Sequence, residues 1–233
     1  MSPGDGYWRA FIAARTRKLW LLGLFVALWI ISCLYPPYPD ELVLQHIPTV
    51  LAVIFLVTVD FLQPLSLSSY TAVLAFLCLH LLGARYLYSN VPYHEWFDLL
   101  QGGDGQPTAE WQRTHYDRMV HFFYGLLLAG VACEFLRKAA RMSRVWAWLM
   151  AISVIMATSA LYEIMEWCVA LLLAPDAAEA YNGQQGDMWD AQKDMTLALF
   201  GSLIACAASV AASPLLRPNR SGAKTLSLRE RAV

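Results

Sequence analysis

Six apolar runs divide this chain, at roughly 19–35, 47–62, 68–85, 116–136, 145–173 and 193–212. Each comes close to the length a helix needs to cross a hydrocarbon core of about 30 Å, which takes about 17 to 25 residues. In lipid the backbone must satisfy its own hydrogen bonds, so runs of this kind become helices. The expected fold is all-α: a polytopic membrane bundle of six transmembrane helices spanning residues 19–212. Residues 1–18 form a basic lead, and 213–233 a basic tail expected to lack order. Composition agrees, since 58% of the 233 residues are hydrophobic and only 15% are charged. Little soluble mass is left over.

The basic residues orient the bundle. Arg9, Arg15, Arg17 and Lys18 precede the first run, and Arg137, Lys138, Arg141 and Arg144 join the fourth to the fifth. Arg217, Arg220, Lys224, Arg229 and Arg231 follow the sixth. With six crossings these thirteen of the seventeen Lys and Arg fall on one side, so both termini are expected in the cytoplasm. The loops 87–115 and 174–192 are then periplasmic. The other four basic residues, Arg85, Arg113, Arg118 and Lys193, lie on that opposite side.

Several classes are excluded or left without support. No basic tract with interleaved aromatics suggests nucleic acid. The five cysteines are scattered about one per run, without the paired spacing of a zinc site or a disulfide framework, and read as small apolar helix residues. The first two runs offer no chemistry beyond Asp60 and read as scaffold.

Chemistry concentrates in the later runs. The stretch Gly186-Asp-Met-Trp-Asp-Ala-Gln-Lys-Asp-Met195 carries Asp187, Asp190 and Asp194. On a helix these would lie within about 40° of one line, at about 100° per residue. Three acids on one stripe repel one another unless a cation, a basic side chain or shared protons offset them. The fourth run opens with Asp117, Arg118 and His121, and a carboxylate and an imidazole one turn apart can share a metal or a proton. The fifth places Glu163 and Glu166 at i and i+3, and the third ends in His80 and Arg85. Helices of alternating direction bring all of these to one level near the outer face. Intramembrane charge is costly and faces a bundle interior or a wet cavity, so the convergence points to one polar site open to the periplasm. The loop 87–115, rich in aromatics, is expected to be a lid or an interfacial foot.

Four motifs carry a family resemblance: His80-x-x-Gly-Ala-Arg-Tyr, Tyr116-Asp-Arg-x-Val-His-Phe, Tyr162-Glu-Ile-x-Glu-Trp and Gly186-Asp-x-Trp-Asp-Ala-Gln-Lys-Asp-Met. They resemble the YjdF-like family of bacterial inner-membrane proteins, from the first run to Gly201. The resemblance implies a multi-pass inner-membrane protein and names no activity. The chain also resembles VanZ-like membrane proteins, associated with glycopeptide resistance, in Asp117-Arg-x-x-His121, in Glu163-x-x-Glu166, and in Asp194 with Gly201. It departs from them at Glu166, where they have Gln, and at Ala198, where they have Asn. That likeness implies a role in the cell envelope.

Three functions compete. One is an enzyme acting at the membrane surface on a lipid-linked or phosphorylated molecule. Its divalent metal (Mg, Mn or Zn) would be held by His80, His121, Glu163, Glu166, Asp187, Asp190 and Asp194. Asp117, His121, Glu163, Glu166, Asp190 and Asp194 would do the chemistry, and Arg85, Arg118 and Lys193 would hold a phosphate. The second is a cation or proton binding or transport protein, which needs a polar path onward to the cytoplasm; there the runs offer little beyond Asp60 and Glu134. The third is an ion-pair network that only fixes the bundle, an expensive way to hold helices.

Overall fold

A computed structural model describes residues 3–103, 114–172 and 186–212, with side chains from Ile12 onward. Its described residues form seven helices: α1 (Pro3–Ser32), α2 (Leu42–Leu62), α3 (Leu67–Arg85), the short α4 (Tyr93–Leu100), α5 (Tyr116–Ala139), α6 (Arg144–Leu172) and α7 (Asp190–Ala211). Five of them, α2, α3, α5, α6 and α7, are long and apolar enough to cross a membrane. In α1 only the stretch 19–32 is free of charge, about 21 Å at 1.5 Å per residue.

The burial pattern is that of a protein dissolved in lipid. Large apolar side chains such as Trp20, Phe55, Phe61 and Leu161 lie exposed, while Lys18, Gln45, His46, Thr49, His80, His121, Ser159, Glu166, Asp190, Asp194 and Ser202 are buried. Apolar surface needs no cover from hydrocarbon, but polar groups do. α5 is central, packing on α7, α6 and α3, and α3 in turn packs on α1 and α2. Phe25, Leu56, Tyr70, Leu74 and Leu77 form the core of the α1–α3 half. Ala129, Cys133, Ala147, Ala151, Ile155 and Ala198 form that of the α5–α7 half. The second core is built of small residues because tight backbone approach is what holds helices together in lipid. At Gly125 an added Cβ would run into the carbonyl of Ala198, and at Gly201 into that of Phe122.

Helices of alternating direction give the bundle two ends. At one, Lys18 Nζ donates to Asp60 Oδ1 at 2.6 Å and to the Leu65 carbonyl at 2.7 Å. Glu134 there accepts from the backbone N–H and hydroxyl of Ser66, from the Ser69 hydroxyl and from Lys138, pinning the start of α3 to the end of α5. Arg144 donates to the Ser209 carbonyl, joining α6 to α7. At the other end, Tyr88, Val91, Tyr116 and Val120 pack together where α3 meets α5, and the Tyr116 hydroxyl donates to the Leu79 carbonyl at 2.8 Å.

Some expected boundaries shift. α2 begins at Leu42 rather than 47 and carries Pro48 inside it, which brings Gln45, His46 and Thr49 onto a buried helical face. α2 is therefore more than scaffold. α7 begins at Asp190, after Gly186 takes a positive φ of 76°, so Asp187 precedes the helix instead of sharing its stripe. Part of the 87–115 loop is α4, whose Phe97, Leu99 and Leu100 are exposed. Residues 104–113, with Trp111 and Arg113, lie outside the described residues, as do 173–185 and the 213–233 tail.

Candidate functional site

Asp117 and His121 stand one turn apart on α5, facing α6 and α7. His121 Nε2 is 3.7 Å from Asp117 Oδ1 and 3.6 Å from Glu163 Oε1 on α6. Ligand atoms of Asp117, His121 and Asp194 all lie within 4.8 Å of one another. The Gly125 and Gly201 contact just below lets α5 and α7 approach closely enough to bring Asp194 to this place. Glu166 hydrogen-bonds to Glu163, one turn along α6, and is buried.

The cluster is under-satisfied. Asp194, 2% exposed, has Oδ1 without a hydrogen-bond partner, and so has Glu163 at Oε1. Separations of 3.6 to 3.7 Å are too long for hydrogen bonds. They suit ligands around a common centre: hard divalent cations hold oxygens at about 2.0 to 2.6 Å, and two neighbouring ligands of such an ion, set about a right angle or somewhat more apart, stand roughly 3 to 4 Å from each other.

The remaining charges pair with one another beside it. Arg118 donates to Asp187 Oδ2 at 2.5 Å and to Asp190 Oδ1 at 3.0 Å, and Lys193 to Asp187 Oδ2 at 2.5 Å. The Asp187 carboxyl is held well below the usual carboxylate range, first by Lys193, then by the Trp189 N–H and Arg118. These bonds tie the turn before α7 to the start of α5.

Two expected members lie elsewhere. Arg85 donates to the carbonyls of Ser32, Leu34 and Tyr35, satisfying the end of α1. His80 is held by Tyr88 and by Thr49 at 2.7 Å, and Thr49 continues to His46 Nδ1 at 3.3 Å. His80 still shares a space with the cluster. A cavity of about 270 Å³ is lined by Pro48, Ala52, Phe76, Leu77, His80, Tyr88, Asp117, Val120, His121, Tyr124, Thr158, Ser159 and Tyr162. Sequence reasoning gave no role to Thr49, His46, Ser159 or the tyrosines of the cavity wall. For α2 a signal existed, since Gln45, His46 and Thr49 fall on one face at helical spacing.

The chain is 34% identical over 161 residues to inner membrane protein YjdF of Escherichia coli (strain K12), an alignment covering 67% of this chain and 71% of that protein. No solved structure matches it. The family model described as predicted membrane protein DUF2238 matches residues 17–213, which takes in every residue of the cluster and of the cavity wall. A helical bundle with exposed apolar side chains and buried polar ones agrees with that description, and the chain belongs to this family of multi-pass membrane proteins.

Proposed function

We propose that this is an inner-membrane protein whose α5–α6–α7 end holds one hard divalent cation, with Asp117, His121 and Asp194 as ligands and Glu163 as the fourth. The ion serves to hold and polarise an oxygen-bearing group of a lipid-linked or phosphorylated envelope molecule at the bilayer surface. The observation that carries the reading is the buried, partnerless Oδ1 of Asp194, set within 4.8 Å of Asp117 and His121. Neither Arg118 nor Lys193 bonds Asp194: Arg118 donates to Asp187 and Asp190 and reaches Asp194 only through space, and Lys193 donates to Asp187. A buried carboxylate oxygen left without a direct partner is costly to keep.

The inner-membrane placement follows the relative from Escherichia coli, and the orientation follows the basic residues, with both termini cytoplasmic and the site periplasmic. α1 completes six crossings: Lys18 is neutralised by Asp60, which lowers the cost of drawing the helix start into the bilayer. A transport path is disfavoured, because Asp60 and Glu134 at the far end are consumed by local partners.

A second reading, proton holding, is favoured by the hydrogen bond between Glu163 and Glu166, since two carboxyl groups bond only with a proton between them. Elemental analysis of the detergent-purified protein separates the two. About one Mg, Mn or Zn per chain is expected, reduced at least tenfold in His121→Ala with Glu163→Gln. Wild-type protein that carries no metal, and whose melting temperature is unmoved by chelator, would leave the proton reading.

A further inference from the structure

The 270 Å³ cavity shares Asp117 and His121 with the cluster but is otherwise built for something apolar. Pro48 and Ala52 of α2, Phe76 and Leu77 of α3 and Val120 of α5 form its body. A dry cavity of about 150 Å³ accommodates benzene, so this one has room for about ten heavy atoms. No lysine or arginine is among its lining residues. His80 cannot serve as a free anion-binding group either, since both ring nitrogens are taken by Tyr88 and Thr49. An independent sign of a ligand is Ser159: it lines the cavity, is 2% exposed, and its hydroxyl has no partner. A hydroxyl left so in a membrane interior costs free energy that a bound molecule's oxygen would recover.

From this we infer that the cavity seats the apolar part of the substrate, and that the site takes an amphipathic molecule: a chain of about ten carbons, isoprenoid or acyl, ending in a phosphate-type head. The direction of binding follows from the walls. The chain lies between α2, α3 and α5, and the head lies at Asp117 and His121, where a cation can hold what the cavity itself cannot. Ser159 meets an oxygen close to the head. This rests on the cation reading above for the head alone; the seat for the chain stands on the cavity.

The test is calorimetric titration of the full-length protein, in nanodiscs with Mn²⁺, against geranyl phosphate, decyl phosphate, inorganic phosphate and geraniol. At least one of the two chain phosphates is expected to bind tenfold or more tightly than inorganic phosphate. Whichever is tighter identifies the chain as isoprenoid or straight. Ala52→Phe, which fills the cavity without touching a candidate ligand, should lower that affinity at least tenfold while leaving metal content unchanged. Ser159→Ala, a change too small to disturb folding, should lower it severalfold and serves where Ala52→Phe does not fold. Equal affinity for all three phosphates, or affinity indifferent to both substitutions, overturns the proposal. If the protein holds no metal, the cation reading fails by itself. Geraniol binding that is lost in Ala52→Phe would then sustain the seat, and no geraniol binding would end it.

Discussion

The two ends of this bundle contain similar residue types and use them in opposite ways. At the end that carries Lys18, Asp60, Glu134 and Lys138, each acid meets a cation and backbone or hydroxyl donors at hydrogen-bond distance, and each bond links two helices or closes a turn. At the end that carries Asp117, His121, Glu163 and Asp194, the separations are longer and two carboxylate oxygens have no hydrogen-bond partner. Saturated charge at a helix junction is what a fold needs. Charge gathered from three helices and left incomplete is what a ligand site looks like before its ligand, because the fold gains nothing from the arrangement alone.

The largest expected effect breaks this comparison at its paired end. Lys18 and Asp60 are both mostly buried, so Lys18→Ala strands a carboxylate inside the protein and should cost about 3 kcal/mol. Asp194→Asn at the other end removes a charge from a crowd of like charges. In chelator-treated protein it should cost nothing or stabilise slightly. Thermal unfolding in detergent measures both. Comparable losses in the two variants would mean that Asp194 is as structural as Lys18.

A substitution that touches no ligand sharpens the point. Gly125→Val forces α5 and α7 apart, because its side chain meets the Ala198 backbone, and overpacking of this kind costs about 1 to 3 kcal/mol. Asp194 sits one turn before Ala198, so the displacement should also lower metal retention, by at least tenfold. The paired far end should keep its bonds. Retention unchanged in a destabilised variant would separate the cluster from the α5–α7 contact.

Much of this was legible in the sequence, and the reasons are physical. Helices that must bury their own hydrogen bonds in lipid announce themselves by length and apolarity, so α2, α3, α5, α6 and α7 could be placed to within a few residues. Helical spacing likewise brought Asp117 to His121 and Glu163 to Glu166. Pairing across helices was not legible. Nothing in its spacing says that Arg85 turns to the α1 carbonyls, or that Arg118 answers Asp187 rather than a phosphate. Starting α2 at 47 places Pro48 in a first turn, where proline is favoured, and so hides Gln45 and His46 from the helix they belong to. The cavity, made of residues from α2, α3, the turn after it, α5 and α6, has no linear signature at all.

The smallest expected effect concerns Asp187, which is paired yet stands at the unsaturated end. Its carboxyl is held below the ordinary Asp value, so the unfolded chain takes up its proton at higher pH than the folded one. The stability it contributes is therefore complete above the ordinary value of about 4, and is lost as pH falls toward the lower folded one. Asp187→Asn should lower the melting temperature slightly at neutral pH, and the gap from wild type should close in acid. Added salt should narrow it as well, since Lys193 is about half exposed. Because the bonds of Asp187 run to Arg118, Lys193 and the Trp189 N–H and tie α5 to the turn before α7, none to a proposed ligand, metal content should not change. A gap that stays constant from neutral to strongly acid pH would show that Asp187 acts through its turn geometry, by accepting from the Trp189 N–H, and not through its charge.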